Sequence, residues 1–283
     1  MRKLFLGALI LSAVSVSAQN VSRKALLLKG QQFEQQNQIN MNITQEMGGQ
    51  TMEIKMESSF NSLIDTKDET PAGYAVATTL KKVLMNMNAM GQEMTFDSDK
   101  KEDMDGQMGA AYKDKIGKTK EFVVSKDGII TEVKTKDTKE EESTGMMSSM
   151  MSGANEQQKE GANFQAFANI PAKGAKVGEA WTDSTRDGDS HSLTTYTLKQ
   201  VTGDEGTVSL TGDLTISREI QQQGTTMQMQ MSGTTSGEYT FDVKTGIIKT
   251  RKALTKTSGT VDVMGQSIPM TMETNVVSTV TKK

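Results

Sequence analysis

Soft sulfur is the unusual metal-binding donor in this chain, which holds 21 methionines beside one histidine and no cysteine. A thioether suits Cu(I), and two patterns bring thioethers together. MMSSMM sets Met146 one helical turn from Met150, and Met147 one turn from Met151. MQMQM sets Met227, Met229 and Met231 on one side of a strand, with Met85 and Met87 as candidate neighbours from an earlier strand. Those spacings are also what an apolar core requires, and methionine is a flexible filler suited to adaptable apolar surfaces. Three readings stand side by side: plain core, the lining of an apolar cavity, or a Cu(I) site. Met85, Met87, Met227, Met229 and Met231 are therefore the ligand-binding candidates, with no metal set and no cofactor assigned.

Other chemistry finds little support. His191 lies in DGDSHSLTTY between Ser190 and Ser192, and immediate neighbours on a strand face opposite sides, so these residues do not assemble a catalytic triad. No GxSxG elbow occurs. One histidine without cysteine excludes the usual zinc sets. The acidic groups around Asp97, Asp103 and Asp187 lack the twelve-residue calcium-loop spacing and read as solvated turns. The glycines occur singly or as one pair and lack a phosphate-loop lysine. Trp181, the one tryptophan, is expected to pack the first strand of the second half, with ligand stacking as its alternative role. No catalytic residue is assigned, and the chain is expected not to be an enzyme.

The elements that must position these residues are strands. In NQINMNITQEM, Ile39, Met41 and Ile43 alternate with Asn40, Asn42 and Thr44; in TMEIKMESSF, Met52, Ile54 and Met56 oppose Glu53, Lys55 and Glu57. Each such strand has one wet and one dry face. Glycine corners separate them at Gly48-Gly49, Gly91-Gln92, Gly224 and Gly265-Gln266, and Asp127-Gly128 and Thr245-Gly246 read as strand-turn-strand. The recurring Met, Gly-Gln, Met pattern thus marks hairpin tips, with methionines where each strand enters and leaves the corner. The expected fold is all-β, with antiparallel hairpins forming curved sheets or open half-barrels in two related halves, residues 19–144 and 173–283. A connector over 145–172 is expected to be helical from the spacing of its methionines and of Phe164 with Phe167, ending at Pro171. A shorter helical turn is expected in QMGAAYKDKIG.

Residues 1–18 have the order of a signal peptide: Arg2 and Lys3, the apolar run LFLGALILSAVSV, then small residues ahead of Gln19. That run is too short for a permanent membrane helix, and no membrane span is expected after cleavage. Removing Arg2 and Lys3 leaves 30 basic against 35 acidic residues, so the net charge moves from −3 to −5. The charge is dispersed, which argues against nucleic acid and anionic membrane surfaces as partners. An aromatic content of 5% does not supply the girdles of an outer-membrane barrel. The expected location is periplasmic or secreted.

NMNAMGQEMTFD and KVGEAWTDS, with FVVSKDGIITEV and IPAKGAKVGEAW between and before them, resemble a family of uncharacterised exported bacterial proteins built on a domain of unknown function. The resemblance covers nearly the whole mature chain. It implies an all-β fold, a curved sheet or open half-barrel partly closed by central helices, similar in outline to periplasmic lipoprotein carriers, and it brings no activity. The expected function is a non-enzymatic β protein of the cell envelope that binds an apolar small molecule on a methionine-rich concave face. The alternatives are a periplasmic Cu(I)-binding protein and a structural protein that meets an envelope protein and no small ligand.

Overall fold

Hairpin after hairpin, the alternating segments pair into one antiparallel sheet. A computed structural model describes residues 20–135, 158–222 and 225–283; the apolar leader and MMSSMM lie outside the described residues. The first half runs β1 (Asn20–Val21), β2 (Gln32–Met47), β3 (Gln50–Thr70), β4 (Gly73–Ala89), β5 (Gln92–Asp97), α1 (Lys101–Asp105), α2 (Gln107–Ala110), β6 (Thr119–Val124) and β7 (Ile130–Val133). The second runs β8 (Ala175–Lys176), β9 (Ala180–Asp187), β10 (Ser190–Thr202), β11 (Glu205–Gln222), β12 (Thr225–Asp242), β13 (Ile248–Val263) and β14 (Gln266–Lys282). The fold is all-β.

The large sheet has the order β7-β6-β4-β3-β2-β14-β13-β12-β11-β10-β9, with β5 added to the upper part of β4. β14 lies antiparallel to β2, from Met270 opposite Gln45 to Lys282 opposite Phe33. The two sequence halves are therefore parts of a single sheet. β1 and β8 form a separate two-stranded pair.

Strands of 16 to 21 residues cannot stay flat, because the twist between neighbours accumulates. Bulges at Asn61/Ser62, Thr66/Asp68, Leu198/Gln200 and Thr240/Phe241 add bends. The curvature can be read from hydrogen bonds that span the sheet. The Ala25 amide donates to Lys126 O in the β6–β7 turn, and the next amide, of Leu26, donates to Thr245 O in the β12–β13 turn. Those turns are far apart in strand order yet are held by adjacent residues, so the sheet curls round without closing.

The β6–β7 and β12–β13 turns follow the expectation drawn from their glycines. Ser125 O accepts from the Gly128 amide and the Ser125 amide donates to Ile129 O, with Gly128 at φ +80°. The tips at the other end of the sheet differ in one respect. In Met90-Gly91 and Met264-Gly265 both residues have positive φ, 55° and 78° in one and 50° and 82° in the other. That is the requirement of a type I′ turn, so these methionines form the corner instead of flanking it.

Residues 158–172 contain no helix, contrary to the spacing of Phe164 and Phe167. The Asn163 side-chain amide donates to the carbonyls of both Phe164 and Phe167 and closes a compact turn. Ile130 and Ile248 amides then take the carbonyls of Ala162 and Ala166. The segment spends its backbone groups on the sheet, and the two phenylalanines are fully buried by turning inward. The short helices lie instead at 101–110, just ahead of and overlapping QMGAAYKDKIG.

Candidate functional site

Alternation on twelve paired strands puts one set of side chains on the concave face, and that face is not uniform. At the end carrying the Met-Gly tips, Met41, Met56, Met85, Met227, Met229, Met231 and Met270 pack with Ile43, Phe96, Ile220 and Val261. Met104, Met108, Tyr112 and Ile116 of the helical excursion lie against this layer, and Tyr112 stacks on Phe96 with ring centres 5.4 Å apart. Burial pushes the Tyr112 phenol up to about 12. The opposite end is filled by Phe122, Phe164, Phe167 and Tyr74 on one side and by Tyr239, Phe241, Leu198 and Ile170 on the other.

All five methionines expected from the sequence are buried: Met85 4%, Met87 8%, Met227 7%, Met229 3% and Met231 2% exposed. Four of them join one cluster. Met87 stands directly opposite Met56, which stands opposite Met41, giving a thioether row across β4, β3 and β2. Sequence reasoning had placed Met41 and Met56 on dry strand faces without assigning them to the site. Their contribution depends on register, which single strands do not reveal.

Between the two filled ends the concave face is half open. Thr235, Gly237, Ala253, Thr255, Val276 and Ile39 are all half-buried, and their side chains are small or aliphatic. Arg251 shares this face, because counting back by twos along β13 from buried Val261 reaches Thr257, Thr255, Ala253 and Arg251. It stands opposite Tyr239 on one side and Ser278 on the other, and Ser278 stands opposite Asn37. The guanidinium carbon lies 5.5 Å from the centre of the Tyr239 ring. Gln35 spans toward Ser278 Oγ at 3.4 Å and Asn37 Oδ1 at 3.5 Å.

A polar line carrying the charge thus crosses β12, β13, β14 and β2 in a trough that is otherwise uncharged, made of small, aliphatic and threonine side chains. Arg251 Nε and Gln35 Oε1 are sealed from solvent without a hydrogen-bond partner, and no carboxylate pairs with Arg251 among the described residues. The signal was present in TRKALTKT, where the arginine falls on the inward parity, but the strand's lysines masked it.

His191, Ser190 and Trp181 lie outside the methionine layer. His191 is exposed on β10, while Ser190 Oγ is engaged with the backbone of Ser217, donating to its carbonyl at 3.1 Å and accepting from its amide at 2.9 Å. Trp181, the second residue of the edge strand β9, stacks on Tyr196 at 5.8 Å and donates Nε1–H to Asn169 O. A shallow groove of about 550 Å³ runs beside β2, β3, β4, β5 and α1, lined by Gln38, Asn40, Glu57, Leu84 and Lys100 and reaching Met85 and Phe96 of the methionine layer. Among the described residues no cluster of histidine and carboxylates has metal-binding geometry, and no helix is long and apolar enough to cross a membrane.

A family model described as a family of unknown function (DUF6263) matches residues 72–248. No curated protein matches the chain. Among solved structures, one described as lipid-protein interactions in lipovitellin aligns with 90% of this chain and 25% of its own, at 9% identity and a TM-score of 0.54. The chain spans about a quarter of that protein, and the likeness is one of fold. An outer membrane channel from Pseudomonas putida F1 aligns with 91% of this chain and 98% of its own at 5% identity, but its TM-score of 0.23 carries no argument.

Proposed function

We propose that this chain, which belongs to the family of unknown function DUF6263, is an exported, non-enzymatic protein of the cell envelope that holds an apolar ligand on its methionine-rich concave face. One observation carries the reading. The buried methionine layer and the aromatic layer are separated by a half-open trough of small and aliphatic side chains on the same face. A structural protein with a filled core has no need of that gap. Unbranched thioether side chains can repack around an apolar guest of variable shape, which a rigid β-branched wall cannot do. The lipovitellin structure is described in terms of lipid-protein interactions, and what this chain has in common with it is fold. Export rests on the order of charged, apolar and small residues in 1–18.

Native mass spectrometry of the protein taken from its own envelope tests the reading. A co-purifying lipid-sized mass is expected. Recovery of ligand-free protein alone, or of a protein partner without a small molecule, contradicts it. A Cu(I) role is a second reading, favoured by the direct cross-strand row Met41, Met56 and Met87. It predicts a copper adduct in the same spectrum.

A further inference from the structure

We infer that the ligand is an acidic amphiphile, a long-chain carboxylate whose head is received by Arg251 and whose tail runs toward the methionine layer. The inference rests on the proposed apolar-ligand reading and names the ligand's class. A guanidinium on the concave face of a sheet is costly to desolvate unless an anion or an array of acceptors meets it. Here the ring of Tyr239 covers one side, and Arg251 Nε is sealed without an acceptor. Opposite it on β14 stands the Ser278 hydroxyl, which accepts from the Gln35 side-chain amide and keeps its own proton to donate. The neighbouring acceptors Gln35 Oε1 and Asn37 Oδ1 carry no charge, so the guanidinium and the serine hydroxyl beside it match a carboxylate, which only accepts.

The site continues in one direction along uncharged, mostly small side chains. From Arg251 the same face of β13 passes Ala253, Thr255 and Thr257; their partners are Gly237, Thr235 and Gly233 on β12 and Val276, Thr274 and Met272 on β14, with the Thr255 hydroxyl spent on Thr235. Six residues of strand span about 20 Å, the reach of a long acyl tail. Beyond lie Met231 and Met270, both facing the gap left by Gly259. Toward the other end the aromatic layer closes the trough. The head and tail directions are therefore distinct, as an amphiphile requires.

The test compares oleate with oleyl alcohol, which share a tail and differ at the head, on the delipidated full chain. Oleate is expected to bind at least about tenfold more tightly, the effect of one charge-assisted hydrogen-bonded contact. Arg251→Gln should abolish the difference between oleate and the alcohol, and Arg251→Lys should recover part of it; a preference of about tenfold for oleate that survives in Arg251→Gln overturns the inference. Acetate should not displace oleate at concentrations where decanoate does. Equal affinity of oleate and oleyl alcohol for the parent protein overturns the inference while leaving the apolar-ligand reading intact, and needs no variant. Displacement by acetate as effective as that by decanoate overturns it too, since the site is then one for small anions. Binding of neither ligand overturns both.

Discussion

Gly233→Ala separates a propensity argument from a packing argument by the sign of its effect. In an ordinary strand interior, alanine in place of glycine stabilises by about 0.5–1 kcal/mol, because glycine loses more backbone freedom on folding. At Gly233 a methyl would lie 1.9 Å from Lys256 O and 2.7 Å from the Thr257 Cα, both on the neighbouring strand β13. Real contacts of this kind stay beyond 3.0 Å, so the two backbones must separate by at least 3.0 − 1.9 = 1.1 Å. A separation of that size takes an interstrand bond of about 2.9 Å beyond useful hydrogen-bonding distance. Two ladder bonds at about 1 kcal/mol each, with part of the cost of leaving their groups unpaired, give a net loss of about 3 kcal/mol. Gly259 is a second such point, with its methyl 1.9 Å from Gln230 O. Both glycines lie where β12 and β13 curl toward the concave face, so the cost measures the curvature that makes the trough. Urea unfolding of the parent and the two alanine variants reads it. Stabilisation by Gly233→Ala, or a change of less than about 0.5 kcal/mol, refutes the close approach and the curvature argued from it.

Met90→Asn and Met264→Asn should each stabilise the protein by about 0.5–1 kcal/mol in the same assay, because asparagine tolerates the left-handed conformation that these exposed methionines hold at φ 55° and 50°. Replacing Met227, Met229 and Met231 together by leucine should keep the fold, at a cost under about 1.5 kcal/mol per site; it should also keep apolar-ligand binding, whereas loss of strong Cu(I) binding in the still-folded variant would favour the metal reading. Burial of Asp242 opposes its ionisation, but the amides of Lys244 and Thr245 and the Thr245 hydroxyl outweigh it and hold the carboxyl below its ordinary value. Its contribution is therefore present above about pH 4 and lost as pH falls through the folded-state value. Asp242→Ala should destabilise by about 1 kcal/mol at pH 7 after solvent screening, and by progressively less on acidification, as thermal melts at several pH values would record.

Strand identity was legible because wet and dry faces alternate residue by residue, as in Met227 to Met231, and hairpins were legible because glycine marks the corners. The inward set of methionines followed from the same parity. What stayed hidden was non-local. The β14–β2 pairing that fuses the two halves joins residues more than 200 positions apart, and no local pattern specifies it. Phe164 and Phe167 carry helical spacing, yet their segment satisfies its backbone against strand turns that sequence proximity does not indicate. Met90 and Met264 were read as flanking residues because methionine rarely occupies a left-handed corner. Arg251 sat in plain view among Lys249, Lys252 and Lys256, and its inward parity acquired meaning only with Tyr239 and Ser278 placed on either side.

The central claim, that an apolar guest occupies the concave face between the methionine and aromatic layers, is tested most directly by photo-crosslinking with a diazirine-bearing fatty alcohol and mapping the labelled residues. Successive strand residues face opposite sides, so single-residue mapping distinguishes the faces. Labelling is predicted at Ala253, Val276 and Ile39, with an extension to Met231, and should be competed away by unlabelled ligand. Labelling confined to outward-facing Leu84, Leu193 and Leu254, or labelling that no competitor reduces, would contradict the account.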